Sequence, residues 1–337
     1  MAPNNVIIRT ENLTRHFGDV VAVQDLTLDV RAGEVFGFLG HNGAGKTTTV
    51  RLLNGILGAT SGAVEVLGLN PLTDGPALRR RTGVLTETPS LDDRLTANET
   101  LTVYGRLYGV DRGRLRTRVG ELLEKFDLLD RGDDLVGGFS RGMRQRLALA
   151  RTLLHDPEVI FLDEPTAGLD PVGRRAVHDL ITELSRSGGR TIFMCTHDLA
   201  EAQKLCGRVG VMGQGALVAL GTPEELAHSL QKGVRLEIEL DERPGPTLLA
   251  PQTETPAPTS FRPTLTWDEV THIASTWLPT RASIPGLIDT LVASGARIYG
   301  VKRQEPSLED VYFALHDRRE GIPPEEAPSP ETSYEWQ

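Results

Sequence analysis

The stretch "GHNGAGKTTT", Gly40 to Thr49, follows directly on the apolar run "VFGFL" and fits the pattern G-x-x-x-x-G-K-[ST]. No other feature of the 337 residues restricts the fold as tightly. Gly40, Gly43 and Gly45 let backbone N–H groups converge on phosphate oxygens without interference from a Cβ. A helix starting near Lys46 points its positive end at the same anion. The loop must therefore sit between a buried strand and a helix, which commits the surrounding chain to an α/β fold. Asn42, Gly43, Ala44, Gly45, Lys46, Thr47 and Thr48 are the expected phosphate-binding residues. Lys46 is expected to reach the β- and γ-phosphates and the Thr47 hydroxyl to face Mg²⁺. Kinases, GTPases, motors, recombinases and transporters all use such a loop, so other elements must decide between them.

The second element is "VIFLDEP". Its apolar residues Val159 to Leu162 read as a buried parallel strand with Asp163 at the C-terminal end, where ligands sit in open α/β sheets. Asp163 can hold Mg²⁺ through water, and Glu164 can polarise an attacking water. Alone, an Asp-Glu pair after a strand is more often a cap or a solvated turn; pairing with the phosphate loop gives it weight. The third element, "FSRGMRQRLALARTLLHDP", lies just upstream. Ser140 can cap a helix that places Met143, Leu147, Ala150 and Leu154 on one face, with Arg144, Arg146 and Arg151 largely off it. The small Ser-x-Gly turn is also a second anion-binding terminus.

From the start to about Leu230, β-rich runs such as "EVFGFL", "VIFLDEP" and "TIFMCTH" alternate with helical patterns, as in a largely parallel sheet. This predicts a first domain over residues 1–230 with a helical insertion at about 88–154, clearest in Arg94–Leu129. "VRLEIEL" (Val234–Leu240) alternates like a half-buried strand, and a Pro/Thr-rich excursion follows at about 243–264. "SIPGLIDTLVASGARIYGVKRQEPSLEDVYFAL" reads helix, strand, helix, so residues 231–317 are predicted to form a small α+β C-terminal domain. Residues 318–337, mostly Glu, Pro and small polar residues, predict a disordered acidic tail.

Taken in order and spacing, the phosphate loop, "FSRGMRQRLALAR", "VIFLDEPTAGLD" and "CTHD" resemble the ATP-binding cassette (ABC) ATPases over roughly residues 6 to 228. The resemblance implies a P-loop NTPase core with a mostly parallel sheet, an antiparallel β subdomain and a helical subdomain. It implies ATP and Mg²⁺ as ligands, with Phe17 stacking on adenine, Asp170 in the loop that communicates across a dimer, and His197 contacting the γ-phosphate. Ser140 and Gly142 would contact the γ-phosphate bound by the opposite subunit, so two chains must meet head-to-tail to complete two sites. The family's usual L-S-G-G-Q stands here as Phe139-Ser140-Arg141-Gly142-Met143, a variant similar to those of multidrug and antibiotic-resistance exporters. Glu87 in "TGVLTETPS" occupies the position where most ABC ATPases carry Gln; either side chain offers an oxygen to Mg²⁺.

Composition narrows the partners. A net charge of −10 argues against a nucleic-acid binder. The longest apolar runs fall well short of the roughly 20 residues that span a bilayer. The N-terminus lacks the pattern of a signal peptide, and Cys195 and Cys206 lack metal-ligand spacing, which fits a reducing cytosol. These features and the resemblance together predict an ATP-hydrolysing subunit that powers a separate membrane-spanning permease. The subunit is expected in the cytoplasm, held at the inner face of the membrane by that permease, with export as the direction. The permease is expected to dock on the helical insertion next to Glu87. The alternative is a soluble ABC ATPase acting on nucleic acid or ribosomes. The intervening segment has no sustained heptads and the chain has one cassette, both of which disfavour that alternative.

Overall fold

The computed structural model describes residues 6–186, 189–230, 234–244, 265–304 and Leu308. The expected tail at 318–337 and all but the start of the Pro/Thr-rich excursion lie outside the described residues. The chain divides into two compact units, Met1–Pro223 and Glu224–Gln337.

The first unit begins with a three-stranded antiparallel sheet made from β1 (Val6–Phe17), β2 (Val20–Arg31) and β4 (Ser61–Val66), with β1 in the middle. Its second sheet has six strands: β3 (Val35–Leu39), β5 (Thr82–Leu85), β6 (Val159–Asp163), β7 (Thr191–Thr196), β8 (Arg208–Gly213) and β9 (Ala216–Gly221). They lie in the order β5-β6-β7-β3-β8-β9, parallel except for the β8–β9 pair. All residues of β3, β6 and β7 are buried, which explains why these runs are continuously apolar rather than alternating. Phe36, Phe38, Phe161 and Phe193 are fully buried, and the Phe193 ring lies 5.1 to 5.7 Å from the other three. Each such ring contributes about 1.5–3 kcal/mol through burial. Ile8, Leu13 and Leu26 of the antiparallel sheet join this core, as do Val50, Leu52 and Leu53 of helix α1 (Lys46–Leu53). Packing thus anchors the second half of α1 in the core shared with β3 and β6.

After the short helix α2 (Gly75–Arg79), three helices occupy the interval between β5 and β6: α3 (Ala97–Leu107), α4 (Arg112–Lys125) and α5 (Arg141–Leu153). Thr96 and Glu99 form a capping box at the start of α3. Ser140 caps α5 as the sequence predicts, accepting from Met143 N at 3.3 Å. Periodicity alone does not show one feature of this helix. Arg151, placed off the apolar face by periodicity, is only 8% exposed. Its Nη1 donates to Ser90 O at 2.7 Å and its guanidinium stacks 4.9 Å from the Tyr104 ring, so a buried cation is satisfied by a carbonyl and an aromatic face. Two further helices follow β6, α6 (Pro171–Arg186) before β7 and α7 (Leu199–Leu205) before β8, and the unit closes with the β8–β9 pair.

The second unit opens with α8 (Pro223–Leu230), which begins one residue before the division. It contains a four-stranded antiparallel sheet in the order β11-β12-β10-β13, from β10 (Val234–Leu240), β11 (Thr266–Asp268), β12 (Ile273–Leu278) and β13 (Ile298–Gln304). The alternation in β10 buries Leu236, Ile238 and Leu240 against Leu287 and Leu291 of α9 (Ile284–Ala293).

His155, just after α5, ties the helical region to β5. Its Nε2–H donates to Thr82 O at 2.9 Å and its ring stacks on Tyr108 at 4.0 Å, while Nδ1 is buried without a partner. Burial holds its pKa below the ordinary value, against the smaller opposing effects of the Thr82 carbonyl and Asp156. The folded state therefore binds this proton less readily than the unfolded chain. Stability is full above the unfolded value of about 6.5 and falls as pH drops from there towards the lower folded value. His155→Gln, which can still donate to Thr82, should flatten part of the fall in melting temperature between about pH 7 and pH 5.5. Identical pH dependence in the variant would show that His155 carries no such linkage.

Candidate active site

β5, β6, β7 and β3 are adjacent in that order, so the chain segments leaving their C-terminal ends emerge side by side. They carry Glu87, then Asp163 and Glu164, then His197, then the phosphate loop. In the loop, Gly43 and Gly45 take φ of 86° and 107°, a region closed to most side chains. A Cβ at Gly45 would lie 2.4 Å from Ala22 O, and one at Gly40 would lie 2.8 Å from Met212 O. Only glycine fits this cradle. Asn42 and Thr47 are exposed at its mouth, Thr48 is half-buried, and Ala44 is fully buried beneath it.

Lys46, the first residue of α1, is 6% exposed. Its ammonium donates to Gly40 O at 2.6 Å and His41 O at 3.3 Å, and lies 3.7 Å from Glu164 Oε1. Thr47 Oγ1 donates to Asp163 Oδ2 at 2.8 Å, which joins the helix start to the end of β6. Burial raises the Asp163 pKa; the charges of Glu164 and Glu87 act in the same direction, while the Thr47 bond and Lys46 oppose it. Glu164 has a φ of 51°, a left-handed conformation unusual for a non-glycine residue. Its N–H donates to Cys195 O at 2.9 Å, and its Oε1 accepts from His197 Nδ1 at 2.8 Å. The carboxylate is thereby placed between a lysine and a histidine.

Among the described residues, no group of three or more His, Cys, Asp or Glu side chains could hold a metal unaided. A hydroxyl and a carboxylate beside a phosphate cradle nevertheless suit Mg²⁺, which is usually bound by one or two carboxylates together with substrate phosphates.

The remaining expected residues stand apart from this constellation. Phe17, at the end of β1, is 44% exposed with the Arg15 guanidinium 4.6 Å over its ring. Ser140, Gly142 and Asp170 line a groove of about 780 Å³ between α5 and α6. Asp170 accepts from Gly173 N at 2.7 Å and so caps α6. Among the described residues, no hydrogen bond or ion pair joins Ser140, Gly142 or Asp170 to the phosphate loop. Sequence reasoning missed Gln145, which is 4% exposed and donates to Pro165 O at 2.8 Å, linking α5 to the segment after Glu164. It also missed the buried polar residues behind His197.

The family model for "ABC transporter" matches residues 23–167. Daunorubicin resistance ATP-binding protein DrrA3 of Streptomyces coeruleorubidus is 36% identical over 317 residues, covering 93% of this chain and 97% of that protein. Bacitracin transport ATP-binding protein BcrA of Bacillus licheniformis is 41% identical, over 64% of this chain and 69% of its own length. A solved structure of an ATP-binding subunit of an ABC transporter superposes with a TM-score of 0.62 at 29% identity, over 66% of this chain and 92% of that one. The chain belongs to the ABC transporter ATP-binding family. It binds ATP and is an ATPase of that family. No helix among the described residues is long and apolar enough to cross a membrane.

Gly45→Ala places a Cβ against Ala22 O at a φ that alanine avoids, each at a cost on the order of 1–3 kcal/mol. ATP affinity should fall by about tenfold or more, read by titration with a fluorescent ATP analogue. Undiminished affinity would mean that this loop is not the phosphate cradle.

Proposed function

We propose that the chain is the ATP-hydrolysing subunit of an exporter, working as a pair of copies on a separate membrane permease. The observation that carries this reading is the constellation of Lys46, Thr47, Asp163, Glu164 and His197 at adjacent strand ends. In it, the loop N–H groups and Lys46 hold the β- and γ-phosphates, and Glu164 accepts a proton from the attacking water. His197 donates to Glu164, orients it and reaches the γ-phosphate. Mg²⁺, held by Thr47, Asp163 and Glu87, would spread phosphate charge during transfer. Phe17 offers a partly exposed aromatic face for adenine.

Two features support pairing and partner. Ser140, Gly142 and Asp170 face a groove separate from the phosphate loop, as expected if they serve the nucleotide of a second copy. Val103 and Leu107 of α3 are 42% and 75% exposed, in the helical region where the permease is expected to dock. Export follows the relatives, whose names refer to drug resistance and antibiotic transport. Those names give no support to action on nucleic acid or ribosomes.

Glu164→Gln removes the proton acceptor and should lower the ATPase rate by about 10²-fold or more while ATP still binds. Phosphate release measures the rate, and gel filtration with ATP should show the dimer accumulating. Normal turnover in this variant would place the base elsewhere.

Glu87→Gln keeps an oxygen ligand and should retain substantial activity. Glu87→Ala should weaken stimulation by the permease more than basal hydrolysis. The comparison is ATPase activity of both variants with and without the membrane partner. If Glu87→Gln is as inactive as Glu164→Gln, the residue moves a proton and the ligand reading fails.

A further inference from the structure

His197 is 61% exposed in its side chain, yet both of its neighbours are anchored in buried polar structure. Thr196, the last residue of β7, is fully buried, and its Oγ1 donates to Glu201 Oε2 at 3.0 Å. The same Oγ1 accepts from Asp198 N at 3.0 Å. Asp198 Oδ1 in turn accepts from Glu201 N at 2.9 Å. These bonds form a closed ring that runs from Thr196 past His197 to Asp198 and Glu201. The ring is fastened from outside by α6, where His178 Nε2 donates to Glu201 Oε1 at 2.8 Å. Glu201 and His178 are 3% and 8% exposed.

A carboxylate at this depth is costly, and an apolar pair of similar volume would often pack α6 against α7 equally well or better. Packing alone does not explain the polar pair. What the carboxylate adds is direction: its two oxygens hold Thr196 and His178 at once, and so fix the backbone on either side of His197. We propose that Glu201, held by His178, is the positioning residue that aims His197 at Glu164 and the γ-phosphate. This inference rests on the role of His197 proposed above.

Glu201→Ala should lower kcat by about tenfold, as a misplaced catalytic contact does, and leave the KM for ATP within about twofold. Glu201→Gln, which can still accept from Thr196, should recover most of the loss. The decisive measurement is a double-mutant cycle with His197→Ala. If Glu201 acts through His197, Glu201→Ala costs nothing further once the histidine is gone. Equal loss in both backgrounds would overturn the proposal and leave Glu201 a structural residue. If Glu201→Ala does not fold, His178→Phe keeps the packing, removes the donor and goes through the same cycle with the same two readings. A wild-type rate in His197→Ala alone would instead remove the proposed role of His197, and this inference with it.

Discussion

The ammonium of Lys46 lies buried at the first position of α1, within reach of two loop carbonyls and the Glu164 carboxylate. A charge this far from water must be paired and hydrogen-bonded, or the fold loses several kcal/mol. That requirement binds three separate parts of the chain together. The loop must curl so that Gly40 and His41 turn their carbonyls to the ammonium, and only glycine at 43 and 45 permits the curl. β6 must end where its carboxylates meet the helix start, which the Thr47–Asp163 bond secures. The aromatic core around Phe193 then holds β3, β6 and β7 in the spacing those contacts need.

Glu164 shows what this arrangement costs locally. A left-handed conformation at a glutamate is sparsely populated, at a cost on the order of 1–3 kcal/mol, and persists where surrounding bonds impose it. Here the Glu164 N–H is held by Cys195 O, and its carboxylate lies between Lys46 and His197. The strained turn sends the side chain across the end of β7 instead of along the sheet. The strain is thus tied to a single orientation of one carboxylate, as the proton acceptor proposed above needs.

Much of this was legible in the sequence because it is local. The phosphate loop, the apolar strands before Gly40 and Asp163, the Ser140 cap and the alternation in β10 all depend on neighbours within a few residues. What was hidden depends on distant pairing. Thr47 and Asp163 are both read from the sequence as facing Mg²⁺, but the direct bond between them, across 116 positions, is visible in neither segment. Helical periodicity placed Arg151 off the apolar face of α5 but could not show that it is buried there, where Ser90 O and Tyr104 from other segments solvate the cation. Gln145 was hidden in the same way, as was the bond from His178 of α6 to Glu201 of α7.

The charge balance at the strand ends supports the place of Mg²⁺ in the proposed function. Asp163, Glu164 and Glu87 stand against one nearby lysine, and the two glutamates already add to the burial that raises the Asp163 pKa. A triphosphate would bring further negative charge to the same point. Two like unit charges about 4 Å apart repel by about 4 kcal/mol at an effective dielectric of about 20, so crowding such charges is costly. A divalent cation would turn the carboxylates from a liability into ligands and would oppose the upward shift of the Asp163 pKa. On this account, an extra carboxylate at position 87 strengthens the demand for the metal without changing the proton acceptor.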